Sequence, residues 1–208
     1  PEAAVYLTLP TRYTTLTTPA IVITFGLSGS GKTTYTQMLL ERIGAIRVRS
    51  DVERKRLAGI ATHGTSDSAL NAGIYSPSAT QSTYAHLLEL GREIVASGWP
   101  VIVDATFLRA DQRKPFWELA KKWKLPFVIL DCQASTEKLE QRVIARAHAG
   151  SDASEATIDV LHRQLEQRQP LSAQELEHVY TLDTDAISLA GNWIEDLLQR
   201  LETTVRPD

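Results

Sequence analysis

Residues 26–33 read GLSGSGKT and have the spacing of a phosphate-binding loop, GxxxxGK[ST]. The glycines allow successive backbone N–H groups to turn inward around a polyphosphate, and the positive end of a following helix faces the same anion. We expect Lys32 to reach the β- and γ-phosphates and the Thr33 hydroxyl to bind Mg²⁺. The residues predicted to hold the nucleotide through this loop are Gly26, Ser28, Gly29, Ser30, Gly31, Lys32, Thr33 and Thr34.

The flanks of the loop favour the strand–loop–helix arrangement in which this motif binds phosphate. Residues 21–24 are a β-branched run typical of a buried strand, and residues 34–43 place Met38, Leu39 and Ile43 on an apolar helix face. The alternative is a chance glycine-rich turn, which would not require these flanks. The sequence therefore predicts a nucleotide-binding site.

Asp51 comes at the end of the predicted second strand, residues 45–50. The carboxyl ends of parallel strands meet at one edge of a sheet, so we expect Asp51 to lie opposite the phosphate loop. A carboxylate there can take the proton of an attacking hydroxyl, which is worth about 10²–10⁴ in rate. Arg54 shares its helical face and would orient the acceptor or steady Asp51. The alternative is an N-capping aspartate with a surface ion pair.

A second carboxylate, Asp104, ends the apolar run of residues 101–103. This position suits a group that holds Mg²⁺ through water or contacts the acceptor, although a helix or turn cap is the simpler alternative. We predict that Thr33 and Asp104 together form the metal site. Thr106 would extend the same polar shell.

Arg142 and Arg146 are spaced i,i+4 on a predicted helix and therefore project from one face. A turn-rich segment, residues 150–154, separates this helix from the next, so the two helices are interpreted as a lid. One guanidinium would stack on adenine and the other would reach the phosphates as they are transferred. We assign Arg142 to nucleotide binding and Arg146 to catalysis. A solvated basic helix face is the alternative.

Strand-like runs alternate with helix-like segments from residue 20 onward, a pattern typical of a parallel α/β sheet. We predict a three-layer P-loop NTPase fold with a five-stranded parallel sheet and a helical lid. Residues 20–208 form the domain, and the threonine-rich residues 1–19 are interpreted as a linker or N-terminal extension. The predicted strands are 21–24, 45–50, 101–103, 127–130 and 179–182, and the later helices include 77–97, 109–123, 135–146, 154–169 and 186–201.

The composition of the chain argues against several classes of protein. The chain has 208 residues, a formal net charge of −3 and one cysteine, Cys132. The acidic balance argues against a broad nucleic-acid surface, and a single cysteine forms no internal disulfide. No membrane-length apolar stretch and no signal-peptide pattern are found, so we expect a cytoplasmic location. The five histidines have no spacing that suggests a metal site.

The Asp51-x-x-Arg54 and Arg142-x-x-x-Arg146 patterns resemble the zeta-toxin/polynucleotide-kinase-like group of P-loop kinases. The runs GLSGSGKTT, IRVRSDVERKRLAG, PVIVDATFLRADQR and GSDASEA are similar to a bacterial ATP-binding kinase domain that often follows an aminoglycoside-phosphotransferase-like domain. This resemblance implies ATP, Mg²⁺, transfer to a hydroxyl group and an upstream phosphotransferase-like domain. The chain departs from gluconate-kinase-like relatives at residues 50–54, SDVER.

We therefore expect an ATP-dependent kinase that acts on a small hydroxyl-bearing molecule, with Lys32, Asp51, Arg54 and Arg146 as its catalytic residues. One alternative is a polynucleotide 5′-hydroxyl kinase, which would need a local basic groove. The other is a regulatory ATP-binding or ATPase module without a small acceptor. No [NT]KxD guanine motif occurs, which favours ATP over GTP. The residues that would line the basic groove are Arg47, Arg49, Arg54, Lys55 and Arg56.

Overall fold

A computed structural model describes residues 18–61, 73–149, 156–186 and 192–203, and for residues 147–149 it describes the backbone alone. All strand pairs within these ranges are parallel, and the strand order is β2-β3-β1-β4-β5. The predicted five-stranded parallel sheet is confirmed. The strands are β1 (Ile21–Phe25), β2 (Ile46–Arg49), β3 (Val101–Asp104), β4 (Phe127–Gln133) and β5 (Val179–Asp183).

The helices follow the start and stop signals of the sequence. The Ser76 hydroxyl accepts the Ala79 N–H, and Pro77 occupies the first helical position of the long helix that follows. No helix within the described ranges has the length and apolar character needed to cross a bilayer. The helices are α1 (Lys32–Ile43), α2 (Ser50–Leu57), α3 (Pro77–Ala96), α4 (Ala110–Trp123), α5 (Thr136–Ala149), α6 (Ile158–Gln167), α7 (Ala173–Leu176) and α8 (Trp193–Thr203), and a 3₁₀ turn spans Gly73–Tyr75.

The sheet is buried on both faces, which makes the fold three-layered. Every residue of β1 is buried, as expected for a central parallel strand. One core contains Leu87 of α3 and Phe116 of α4, and the other contains Leu39 of α1 and Leu197 of α8. Helices on both faces leave the carboxyl edge of the sheet open, which is where ligands bind in such folds.

Several boundaries differ from the sequence prediction. Helix α6 begins at Ile158 rather than near residue 154, because the Thr157 hydroxyl accepts the Val160 N–H and caps the helix there. Strand β4 continues through Gln133, beyond the apolar run, since it pairs with the whole of β5. The last helix begins at Trp193. The predicted extension up to residue 17, the turn 150–154 and residues 187–191 lie outside the described residues.

A buried arginine ties the loop after β3 to the segment after α6. Arg113 is 1% exposed and forms two hydrogen bonds with the Glu175 carboxylate, at 2.5 and 3.1 Å. Its Nη1 also donates to the Phe107 carbonyl at 2.9 Å, and Nη2 donates to the Pro170 carbonyl at 3.3 Å. Phe107 has a φ of 50°, which is unusual for a residue with a side chain. The guanidinium of Arg113 with these contacts, the Arg113 fork, therefore holds the strained turn at Phe107 in place at the sheet edge.

We predict that Glu175→Gln lowers the free energy of unfolding by about 3 kcal/mol, because it leaves the buried Arg113 charge without its counter-ion. Urea unfolding measures the change. Asp111→Asn is the matched control, since the Asp111–Arg109 pair is exposed and its loss is expected to cost less than about 0.5 kcal/mol. Equal losses in the two variants would contradict the structural role given to Glu175.

Candidate active site

A cavity of about 290 Å³ lies at the carboxyl edge of the sheet. It brings together residues that are far apart in the sequence, including Asp51, Asp104 and the phosphate loop. Three of the predicted site residues, Gly26, Ser30 and Arg54, are not part of its lining. The lining residues are Ser28, Gly29, Gly31, Lys32, Thr33, Thr34, Ser50, Asp51, Asp104, Ala105, Thr106, Arg142 and Arg146.

The phosphate loop packs closely against the backbone of neighbouring elements, and glycines occupy the points of contact because a side chain would not fit there. Gly29 has a φ of +85°, and a Cβ added there would lie 2.7 Å from the Leu139 carbonyl of α5. Gly26 is restricted in the same way, since its Cβ would lie 2.6 Å from the Cys132 carbonyl of β4. Gly26 thus contributes by packing the loop, and the loop is wedged against both a strand and a helix.

Lys32 is buried and bonded within its own loop. Its Nζ donates to the Leu27 carbonyl at 2.6 Å and to the Ser30 hydroxyl at 3.4 Å. Burial lowers the pKa of Lys32, and the charge of Asp104 counteracts part of that effect. The Lys32 ammonium is therefore held in a place where an added anion would favour its charged form.

Thr33 and Asp104 form the polar centre of the cavity. The Thr33 hydroxyl donates to the Asp104 carboxylate at 2.8 Å, and the Thr36 hydroxyl lies 3.3 Å from the same oxygen. Burial raises the pKa of Asp104, while the Lys32 charge and the Thr33 hydrogen bond act against this rise. A hydroxyl and a carboxylate are the oxygen ligands that Mg²⁺ takes beside phosphate, so these two residues fit the predicted metal.

This metal site would depend on ligands from a nucleotide. Within the described ranges, no group of three or more histidine, cysteine, aspartate or glutamate side chains could hold a metal ion. Mg²⁺ usually binds one or two protein oxygens together with phosphates and water. Thr33 and Asp104 suit that shared mode of binding.

Arg49 orients Asp51, a contact that the sequence analysis did not predict. Arg49 Nε donates to Asp51 Oδ1 at 3.1 Å, and Nη2 donates to Oδ2 at 2.6 Å. The Val52 N–H also donates to Oδ1, at 2.9 Å. Three donors thus fix the carboxylate at the cavity wall. The only sequence signal for this pairing is an arginine two residues before the aspartate, at the strand end.

Arg54 is not part of the cavity lining, although the charge of Asp51 acts on it. Its Nη1 donates to the Ile74 carbonyl at 2.7 Å and to the Thr80 hydroxyl at 3.1 Å, and its guanidinium carbon lies 5.3 Å from the centre of the Tyr75 ring. Burial lowers the pKa of Arg54 from its ordinary value. In this structure Arg54 braces the 3₁₀ turn against α3, and Asp51 is steadied by Arg49 instead.

The two arginines of α5 both line the cavity. Arg142 Nη1 donates to the Thr184 hydroxyl at 2.9 Å and to the Gly29 carbonyl at 3.3 Å, and Nη2 donates to the Thr184 carbonyl at 2.9 Å. Arg142 therefore connects the phosphate loop with the segment after β5. Arg146 lies one helical turn further along the same face.

Thr106 also lines the cavity and is positioned by two contacts. Its carbonyl accepts the Gly26 N–H at 3.2 Å, and its hydroxyl lies 3.3 Å from the Tyr84 hydroxyl. The Tyr84 hydroxyl also accepts the Phe107 N–H, at 3.2 Å. The cavity wall is thus continuous with the turn that Arg113 holds.

Sequence comparison places the chain in a known family. It belongs to an AAA domain family, which matches residues 21–171. Over 158 residues it is 28% identical to the uncharacterised proteins Rv2004c of Mycobacterium tuberculosis and Mb2027c of Mycobacterium bovis. The aligned region is 74% of this chain but 32% of those proteins, so the chain spans about a third of their length.

Solved structures show the same fold at low sequence identity. A Chloroflexus aurantiacus protein assigned as a kinase is 22% identical with a TM-score of 0.65, over 91% of this chain and 100% of that one. A Sinorhizobium meliloti gluconokinase is 18% identical with a TM-score of 0.56, over 91% of this chain and 93% of that one. The Mycobacterium tuberculosis APS kinase CysC, in complex with AMPPNP and APS, is 17% identical. Its TM-score is 0.58, over 91% of this chain and 99% of that one. The chain shares the three-layer P-loop fold of these solved proteins.

We predict that Gly29→Ala lowers the free energy of unfolding by about 2–4 kcal/mol, because left-handed strain adds to the clash with the Leu139 carbonyl. Gly59→Ala is the matched control, since Gly59 has a φ of +70° but no atom within 4 Å of an added Cβ. Gly59→Ala should lower the free energy of unfolding by about 1 kcal/mol, from the backbone strain alone. Urea unfolding of both variants measures the difference, and equal losses would contradict the wedged loop.

Proposed function

We propose that this domain is an ATP-dependent kinase that transfers the γ-phosphoryl group to a hydroxyl of a small molecule. The observation that carries the proposal is one cavity lined by a phosphate loop, by the Thr33–Asp104 pair and by the oriented Asp51. The solved relatives named as a gluconokinase and an APS kinase support transfer to a small acceptor. The complex of one of them with AMPPNP supports ATP as the donor.

In this proposal the nucleotide is held by the loop amides and by three cations. Lys32 exchanges its contacts with the Leu27 carbonyl and Ser30 for phosphate oxygens. Arg142 and Arg146 line the same cavity from α5, next to the loop. A phosphate between these groups would be surrounded by positive charge at the point where negative charge builds up during transfer.

Thr33 and Asp104 would hold the Mg²⁺ that accompanies ATP. When bound, the ion neutralises charge on the phosphate oxygens. The Thr33 hydroxyl would turn its oxygen from Asp104 toward the metal, and Thr36 remains within hydrogen-bond distance of the Asp104 carboxylate.

Asp51 is the proposed general base. As the acceptor oxygen bonds to the γ-phosphorus, its proton passes to the Asp51 carboxylate, and the bond between the γ-phosphorus and the β–γ bridging oxygen breaks to release ADP. Arg49 and the Val52 N–H fix the carboxylate during this step. A base that is already oriented does not have to be ordered at the moment of reaction.

The contacts of the basic residues of β2 and of the helix after it support a small acceptor over a polynucleotide. Arg47 donates to the Thr33 carbonyl at 2.9 Å and to the Gln37 side chain at 2.9 Å. Arg49 is bonded to Asp51, as described above, and Lys55 is 2% exposed. These side chains form contacts within the protein or are buried, whereas the cations of a nucleic-acid groove are exposed and contact phosphates.

The size of the mycobacterial relatives supports a further part of the proposal. Because this chain spans about a third of their length, a domain of this kind occurs within longer polypeptides. We propose that an upstream phosphotransferase-like domain, as predicted from the sequence resemblance, works beside this kinase domain.

We predict that Asp51→Asn leaves ATP affinity nearly unchanged and lowers phosphoryl transfer by about 10²–10⁴-fold, because the amide cannot take the acceptor proton. A screen with γ-labelled ATP over nucleosides, nucleotide sugars, aminoglycosides, sugars and oligonucleotides measures transfer, with Asp51→Asn as the blank. Asp111→Asn is the control, since Asp111 is an exposed carboxylate on α4 and the variant should retain full activity.

The same screen separates the alternatives. Salt-sensitive labelling of oligonucleotides alone would identify a polynucleotide kinase. ATP binding without labelling of any acceptor would favour the regulatory module. Transfer that persists at the wild-type rate in Asp51→Asn would reject Asp51 as the base.

We predict that Thr33→Val removes most of the gain in ATP affinity that Mg²⁺ provides, because the variant keeps the side-chain shape but loses the metal-binding oxygen. Calorimetric titration with AMPPNP, in Mg²⁺ and in EDTA, gives the ratio of the two affinities. Thr203→Val, at the exposed end of α8, is the control and should leave this ratio unchanged. An unchanged ratio in Thr33→Val would exclude Thr33 as a metal ligand.

A further inference from the structure

One N–H of the phosphate loop is already occupied by a side chain from α6. The Ser28 N–H donates to Gln164 Oε1 at 2.8 Å. Ser28 is buried and lines the cavity, whereas Gln164 is not one of the lining residues and reaches the Ser28 N–H from α6. None of the loop and site motifs of the sequence predicts it, because Gln164 is separated from the loop by most of the domain.

The chemistry of the contact fixes the orientation of the Gln164 carboxamide. Only its oxygen can accept an N–H, so the Gln164 amide nitrogen points away from the Ser28 N–H. The N–H groups of such loops serve phosphate oxygens. One N–H does not make two full-strength hydrogen bonds, so Gln164 and a phosphate oxygen compete for it.

The chain directly after α6 is anchored close to Gln164. The Gln169 N–H donates to the Leu108 carbonyl at 2.9 Å, and the Arg168 guanidinium carbon lies 4.6 Å from the centre of the Phe25 ring. On the other side of Gln164, Leu161 is completely buried in the core. Because the chain is anchored at these points, we expect a rotation of the Gln164 side chain, rather than a movement of the helix, to release the Ser28 N–H.

We propose that Gln164 caps the phosphate loop of the nucleotide-free protein and is displaced by a phosphate oxygen of the incoming nucleotide. This inference rests on the proposed binding of ATP. The phosphate prevails because hydrogen bonds to a charged oxygen are roughly twice as strong as those to a neutral one. Gln164 thus keeps the buried Ser28 N–H satisfied between turnovers and lowers the affinity for nucleotide.

The test compares Gln164→Met with Gln167→Met, a control on the exposed final turn of α6. Methionine keeps the length of glutamine but offers no strong acceptor. Calorimetric titration with AMPPNP should give a dissociation constant about two- to tenfold lower for Gln164→Met, which corresponds to the net value of one hydrogen bond. Gln167→Met should bind like the wild type. Gln164→Glu, which keeps the acceptor and adds a negative charge, should bind more weakly than the wild type.

The Ser28 amide signal in ¹H–¹⁵N spectra provides a second measurement. Without nucleotide, Gln164→Met should move this signal and speed its hydrogen exchange, because its partner is gone. With AMPPNP bound, the signal should coincide in the wild type and the variant. These effects should be absent from Gln167→Met.

The outcomes separate the inference from the proposed function. Unchanged or weaker AMPPNP binding by Gln164→Met, or an unmoved Ser28 signal in the nucleotide-free variant, would overturn the cap alone. A wild-type protein that does not bind AMPPNP would overturn the proposed function and the cap together. Tighter binding with a displaced Ser28 signal supports both.

Discussion

The phosphate loop is held between two carbonyl groups that leave no space for a side chain, and the rest of the site depends on this fit. The Leu139 carbonyl of α5 and the Cys132 carbonyl of β4 stand against Gly29 and Gly26. Because the loop touches both elements, its position sets the distance from Lys32 to the arginines of α5. A loop free on either side would have no fixed relation to Asp51 or Asp104, and the cavity would lose its shape.

Burial acts in opposite directions on the two central charges. It lowers the pKa of Lys32 and raises the pKa of Asp104, so the fold disfavours the charged form of both groups. Each charge partly offsets this effect for the other. Shifted pKa values of this kind are common in ligand-binding sites, because the charged groups there are arranged for a ligand rather than for the empty protein.

Local patterns in the sequence predicted the fold and most of the cavity lining. The loop motif, the Ser76 cap and the placement of Asp104 at a strand end each depend on neighbouring residues, so spacing alone is informative. The pairing of Arg49 with Asp51 and the turn of Arg54 toward Ile74 were not predicted. They depend on which of several nearby partners an arginine reaches, and sequence spacing does not distinguish them. The contact of Gln164 with Ser28 joins distant elements, for which a single sequence has no signal. The catalytic roles remain predictions.

The Arg113 fork also limits how this domain can diversify. Its guanidinium contacts the Phe107 carbonyl, the Pro170 carbonyl and the Glu175 carboxylate at once, which a lysine ammonium could not do with the same planar geometry. The exit of β3 and the chain after α6 are therefore kept in register with each other. An insertion at either place would break these contacts, so a single side chain constrains the lengths of two segments that are far apart in the sequence.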